Sequence, residues 1–324
     1  MTRAEPVEKD IHPWVAEGAR RVRFGVMPWG LNTDWTIFLN WARRTEELGF
    51  DSFWWGDHPA ITLDCWTGLT AAATVTKTVR LGAGVSCVYF RHPALLARIA
   101  ADVDRLSGGR LILGLGIGDL PFEFARFGID LPPVSERQAA LEETITIVRG
   151  AWEGSPFSYE GKHYRVNGLA IAPPVQSPYV PLLIGGGGNR TLRQVARYAD
   201  MTNFGPHRLI GGVTAPDDVK GKLRFLDGEC EAVGRSSTSV LRSHFILPMI
   251  LGRTDASAQE KFERSHYASA PSDQMSGGFV GSVGALIDYY QALKAAGMQY
   301  FIACISPDDT ETLDLLGQEV MPFI

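Results

Sequence analysis

Apolar residues return along this chain in two alternating rhythms. Val22–Met27 is a short apolar run that stops at Pro28-Trp29-Gly30, and from Asp34 to Leu48 the residues Ile37, Trp41, Thr45 and Leu48 recur at the spacing of one helix face. This reads as a strand followed by a helix. Gly49 ends the helix, and the next buried run, Asp51–Gly56, closes at Asp57-His58-Pro59. The unit then repeats. Thr67–Thr78 is helical, Val79–Tyr89 apolar, Pro93–Leu106 helical and Gly109–Gly118 strand-like. Phe157–Val166 alternates about a Glu160-Gly161 turn and predicts a hairpin inserted at the periphery. Beyond it come strand five at Pro181–Ile184 with a helix at Asn189–Ala199, strand six at Met201–Phe204 with a helix at Val219–Val233, and strand seven at Val240–Leu251 with a helix from about Ala256. A Gly- and Ser-containing stretch, Ser276–Gly281, precedes the amphipathic Val283–Ala296. Gln299–Ile305 is the eighth strand and Thr310–Val320 a last helix.

Continuous apolar runs are what strands buried on both faces look like, and helix-containing links of roughly 30 to 40 residues are what parallel pairing demands. Eight such units predict an α/β fold, a (β/α)8 TIM barrel with inserted loops, spanning residues 22–324 as a single domain after an N-terminal arm at 1–21. The composition agrees: of 324 residues, 45% are hydrophobic and 21% charged, which is ordinary for a globular chain. The net charge is −5 with no basic stripe, so nucleic acid is not an expected partner. Residues 1–21 lack the apolar centre of a signal peptide, and no run reaches the roughly 18 apolar residues of a membrane span. A cytoplasmic protein is expected, with Cys65, Cys87, Cys230 and Cys304 as buried free thiols.

In such a barrel the chemistry sits at the C-terminal ends of the strands. Strand five runs into Gly185-Gly186-Gly187-Gly188-Asn189 and then a helix. Glycines allow close backbone approach, Asn189 is a good N-cap, and free N–H groups at a helix start attract an anion, so this turn is read as a phosphate cradle; the plainer alternative is a flexible barrel turn. Gly114, Gly116 and Gly118 are spaced wrongly for a dinucleotide fingerprint and mark close packing of a ligand or a neighbouring loop. Strand two ends at Asp57-His58, where the imidazole is a candidate acid–base group. After strand four, Asp119 and Glu123 are candidate carboxylic acids, with Asp119 taken as the catalytic one. The other histidines share no spacing that would make a metal site, and neither a G-x-S-x-G elbow nor a P-loop lysine is present. Trp29, Trp55, Trp66, Phe122 and Phe127 are expected to line an apolar substrate cavity. A mouth with so little chemistry of its own points to a cofactor.

The ordered segments Glu47–Trp54, Gly56-Asp57-His58, Arg80–Val85, Arg91-His92-Pro93-Ala94, Leu106–Arg110, Gly114–Gly118 and Pro181–Gly188 resemble the luciferase-like monooxygenase superfamily, from about Val22 to the C-terminus. That resemblance implies either of two cofactors: reduced FMN, which activates oxygen, or coenzyme F420, a 5-deazaflavin that carries hydride. The chain is more similar to the F420 branch. Asp57-His58 resembles the motif that places the acid–base histidine there, Asp119 falls where some members have a carboxylic acid, and Gly84-Val85 matches a strand-three bulge that carries a non-proline cis peptide behind the ring. Asp119 is shorter than the glutamate usual in one dehydrogenase subgroup, so the sugar-phosphate substrate of that subgroup is not implied. By the same resemblance Asp57, Gly84, Val85, Ser86, Gly185–Gly188 and Asn189 bind the cofactor and His58 and Asp119 act on a small-molecule substrate. A flavin or F420 reductase or dehydrogenase supplies reduced cofactor, and the chain forms a homodimer. The long loops at 206–218 and 269–282 are expected as lids.

Overall fold

The computed structural model describes residues 11–18, 20–30, 33–207, 210–213, 215–269 and 277–324. The strands in chain order are β1 (Arg23–Pro28), β2 (Ser52–Trp55), β3 (Arg80–Ala83) with its short continuation β4 (Ser86–Cys87), β5 (Leu111–Gly116), the hairpin β6 (Phe157–Glu160) and β7 (Arg165–Leu169), β8 (Leu182–Gly185), β9 (Met201–Phe204), β10 (Leu241–Ile246), β11 (Met249–Gly252), β12 (Phe279–Ser282) and β13 (Tyr300–Ile305). Around them lie α1 (Pro13–Gly18), α2 (Trp35–Glu47), α3 (Cys65–Val75), α4 (Pro93–Ser107), α5 (Pro121–Arg126), α6 (Val134–Ala151), α7 (Asn189–Tyr198), α8 (Pro216–Ala232), α9 (Asp255–Arg264), α10 (Val283–Ala295) and α11 (Thr310–Leu315).

Parallel pairing runs β1–β2–β3–β5–β8–β9–β10–β13 and returns from β13 to β1, so eight strands close a barrel as the eightfold repeat predicts. Two readings of the sequence need correction. The run Val240–Leu251 is not one strand: Pro248 has no N–H to continue the ladder, and the chain leaves the barrel as β11. There it pairs in parallel with β12, inside the stretch read as a Gly/Ser loop. The helix read over Thr310–Val320 is α helical only to Leu315 and continues as a π turn. The β6–β7 hairpin is solvent-facing, as expected of a peripheral insertion. Of the expected lids, residues 208–209, 214 and 270–276 lie outside the described residues.

Alternate side chains on each strand point into the barrel, where Trp54 fills the lumen with Met27, Ile112, Leu183, Met201, Leu241, Tyr300 and Ile302. Trp54 fits because β1 and β3 present glycines to it. A Cβ on Gly25 would stand 2.5 Å from Trp54 Nε1, and one on Gly82 2.2 Å from Trp54 Cε3. The floor is closed by α1, whose Trp14 donates from Nε1 to Asp51 Oδ2 at 3.0 Å and accepts at its carbonyl from Arg23 Nη2 at 2.7 Å. The lumen is thus blocked below by described side chains.

The strand-end glycines are equally constrained. A Cβ on Gly114 would lie 1.9 Å from the Ala83 carbonyl oxygen, which is backbone and cannot swing away. Gly114→Ala is therefore expected to lower stability by at least about 1–3 kcal/mol, whereas Gly228→Ala on the exposed side of α8, with nothing within 4 Å, raises it by about 0.5–1 kcal/mol. Urea midpoints of the two variants test this; equal midpoints would refute the packing account.

Candidate active site at the C-terminal mouth

The site is assembled from the ends of β1, β2, β4, β5 and β8. Between β3 and β4 the Gly84–Val85 peptide is cis, as the resemblance implies. The bulge turns the Val85 side chain toward β5 and β8: its methyls lie 3.3 Å from where a Cβ on Gly114 would be, 2.4 Å from one on Gly116 and 3.1 Å from one on Gly185. The close-packed neighbour foretold for Gly114 and Gly116 is thus this bulge, a loop of the chain itself. Asp57 pins the bulge from below. Its Oδ2 accepts from Ser86 Oγ (3.0 Å), Cys87 N (3.1 Å) and Arg91 Nη1 (2.6 Å), and Arg91 reaches on to Asp64, the N-cap of α3. Burial pushes the Asp57 carboxyl above its usual value, with Arg91 and the two other donors pulling against it. Ser86 in turn accepts from Trp66 Nε1 at 3.2 Å. Asp57 and Ser86 hold the bulge in place with their side chains buried in the protein.

His58, next along from Asp57, stands at the mouth with its side chain 19% exposed and its ring edge-on to Trp29, centroids 4.8 Å apart. Its Nδ1 meets Glu123 Oε2 at 2.7 Å, and Glu123 Oε1 accepts from Ala60 N at 3.2 Å. Burial disfavours the imidazolium, but the Glu123 hydrogen bond and the charges of Asp119, Glu123 and Asp57 outweigh it and raise the His58 pKa above the ordinary value. Asp119 itself is exposed and reaches His58 only through its field. The carboxylate that touches the histidine is Glu123, brought in because Pro121 starts α5 immediately after the Gly118 turn. Sequence reading placed both acids on this segment and took Asp119 as the one that acts; the carboxylate in contact with the imidazole is Glu123.

The expected aromatic lining is only partly realised. Trp29 is at the mouth. Trp55 is fully buried between β2 and the helices, packed on Phe38 at 4.7 Å and donating from Nε1 to the Leu63 carbonyl, and Trp66 is buried beneath Ser86; both belong to the core rather than the cavity. The odd residues of β2 face outward when Trp54 faces in, which settles Trp55 by the period of a strand. Phe122 and Phe127 stand exposed on and just after α5, with Phe122 under the Arg126 guanidinium.

At the end of β8, Gly188 and not Asn189 is the N-cap of α7, extended at φ −71°, ψ 150° and without a side chain to satisfy the helix start; helical geometry begins at Asn189 itself. No described residue accepts from the N–H groups of Gly188, Asn189 or Arg190. Gly186 turns the chain at φ +120°, and Gly187 lies against the backbone of Gly211 and Ile210. Lys222 of α8 brings its ammonium to the Gly187 carbonyl at 2.6 Å. Nothing in the sequence links Lys222 to this turn; α7–α8 packing alone puts it there. The turn has backbone donors and a nearby cation suited to an anionic group. A cavity of about 800 Å³ lies at the opposite end beside Arg23, Asp51 and Arg80, away from all these residues. Among the described residues no cluster of His, Cys, Asp and Glu could hold a metal, no helix is long and apolar enough to cross a membrane, and all four cysteines are buried and free.

A family description, luciferase-like monooxygenase, matches residues 18–310. The chain belongs to the luciferase-like monooxygenase family. Within that family it is 33% identical to an F420-dependent glucose-6-phosphate dehydrogenase of Amycolatopsis mediterranei over 172 residues, 50% of this chain and 51% of that one. It is 24% identical to a 5,10-methylenetetrahydromethanopterin reductase of Archaeoglobus fulgidus over 87% of this chain and 94% of the relative. The same luciferase-like barrel is seen in the oxygenating constituent of 3,6-diketocamphane monooxygenase from Pseudomonas putida in complex with FMN: TM-score 0.75, 17% identity, covering 93% of this chain and 98% of that one.

Proposed function

We propose that this luciferase-like chain is an F420-dependent oxidoreductase that moves a hydride between the deazaflavin and a small organic substrate, with His58 handling the accompanying proton. The observation that carries the reading is the His58–Glu123 pair, a partly exposed imidazole on a buried carboxylate, at the rim of a mouth where no metal-binding cluster is found among the described residues. Its F420-dependent relatives favour the deazaflavin over FMN, the alternative that the FMN-bound neighbour keeps in play.

When bound, F420 supplies two electrons as hydride. The residues of the chain do the rest. The N–H groups at the start of α7 and the Lys222 ammonium would hold the phosphate end, and the Gly84–Val85 bulge, stiffened by Asp57 and Arg91, would back the ring. His58 exchanges a proton with the substrate through Nε2, since Nδ1 is held by Glu123. Trp29 shields one edge of the imidazole from water. A separate reductase or dehydrogenase is part of the proposal as the source of reduced cofactor.

Fluorescence titration of the purified protein with F420 and, separately, with FMN tests the reading. Tight F420 binding with weak FMN binding is expected, and Lys222→Ala should weaken it. The opposite preference would assign the chain to the oxygen-activating side of the family.

A further inference from the structure

We infer that Glu123 is a positioning residue that keeps His58 as an imidazolium in the resting protein, the form that hands a proton to a polarised C=O, C=N or conjugated C=C bond when that bond takes up hydride. This rests on the hydride-transfer reading above and adds the class of acceptor. Glu123 is 1% exposed, and no lysine or arginine among the described residues pairs with it. The neighbouring cations are committed elsewhere. Arg91 is held by Asp57 and Asp64, Arg137 donates to the carbonyls of Pro132, Ile117 and Gly118, and Arg126 lies on Phe122. A carboxylate buried without a countercharge is strongly disfavoured, and among the described residues the group placed to supply one is the His58 imidazole 2.7 Å away.

The groups facing His58 from other elements act the same way. Asp119 adds negative charge from the β5–α5 segment, Trp29 of the β1 end contributes only a neutral indole, and the Asp57 charge is answered by Arg91. Glu123 also fixes which nitrogen reacts. With Nδ1–H donated to Oε2, Nε2 is the nitrogen left without a described partner, on a side chain open enough for water to restore its proton.

The electrophilic carbon of the acceptor gains the hydride and its two electrons from the reduced deazaflavin, the π pair of the double bond moves to the distal atom, and that atom takes the proton from Nε2. The Nε2–H bond breaks, and His58 is left neutral with its Nδ1 proton on the Glu123 hydrogen bond. In the reverse direction the same Nε2 takes the proton back while Glu123 still holds Nδ1–H.

The test uses the cofactor-free protein first. Imidazole ¹⁵N shifts followed against pH, with the His58 signal assigned by its loss in His58→Asn, should show His58 protonated at pH 7. The midpoint should fall in Glu123→Gln, fall less in Asp119→Asn, and stay raised in Glu123→Asp, which preserves the charge if the amide variant folds poorly. A neutral His58 at pH 7, or a midpoint that Glu123→Gln leaves in place, overturns the inference. With F420 added, the alkaline limb of acceptor reduction should move to lower pH in Glu123→Gln while F420 affinity holds. An unmoved limb overturns the inference too. Absence of F420 binding with the titration result intact would instead sink the cofactor reading and leave the pair standing.

Discussion

His58→Asn lowers turnover by about 10²- to 10⁴-fold, the range for loss of a positioned acid–base group, while F420 affinity stays near that of the unmodified protein. Asparagine can keep a hydrogen bond to Glu123 but cannot carry the proton. The loss should therefore appear in kcat, with KM little changed, because the interaction removed is made in the transition state. Unchanged turnover would remove His58 from the mechanism. A stability effect accompanies the kinetic one, with a sign set by the raised pKa. The folded state holds the His58 proton more tightly than the unfolded chain, so this contribution is fully present below about pH 6.5, the unfolded value, and is lost as pH rises through the higher folded one. The stability gap between the two proteins should accordingly be wider at pH 6 than at pH 9.

Arg91→Ala is the second large effect, a loss of about 3–5 kcal/mol in urea unfolding, the cost of breaking a buried pair from one side. Arg91 is the cation for Asp57, whose side chain is 2% exposed, and through Asp57 it fixes Ser86 and Cys87 of the bulge. Without it, Asp57 keeps two hydrogen bonds but no countercharge, and its already raised carboxyl moves further up. A carboxyl with a raised folded value destabilises progressively as pH climbs from the unfolded carboxylate range, about 3.9, through the folded value, so the deficit of Arg91→Ala should shrink at pH 5 relative to pH 8. The double variant Arg91→Ala with Asp57→Asn should recover part of the loss, since no charge is then stranded. F420 binding should weaken in Arg91→Ala, because the bulge loses its support. A pH-independent deficit, or no recovery in the double variant, would show that Arg91 acts only through packing.

Much of the candidate site was legible as residue types at strand ends, and much less of it as contacts. Asp57-His58 and the run Gly185–Gly188 stood out because β-ends and glycine-rich turns are local features. The choice of Glu123 over Asp119 turns on four residues of loop geometry after β5, and Lys222 reaches Gly187 from 35 residues away through helix packing. Trp55 and Trp66 were misread as cavity residues because an aromatic near a strand end looks the same whether it faces the mouth or the helix layer.

By itself the sequence determined the rhythm of eight strand–helix units, hence the closed parallel barrel, since a strand buried on both faces and a helix with one apolar stripe each announce themselves within a dozen residues or so. It also carried the close packing at Gly114 and Gly116, though not its cause. Only the tertiary structure decided that Val85 is the neighbour those glycines admit, that β11 departs to pair with β12, that Trp54 seals the lumen, and that Glu123 is the partner of His58. Periodicity reports which face of an element is apolar; which side chains meet depends on distances between elements far apart in the chain, and these exist only once the barrel has closed.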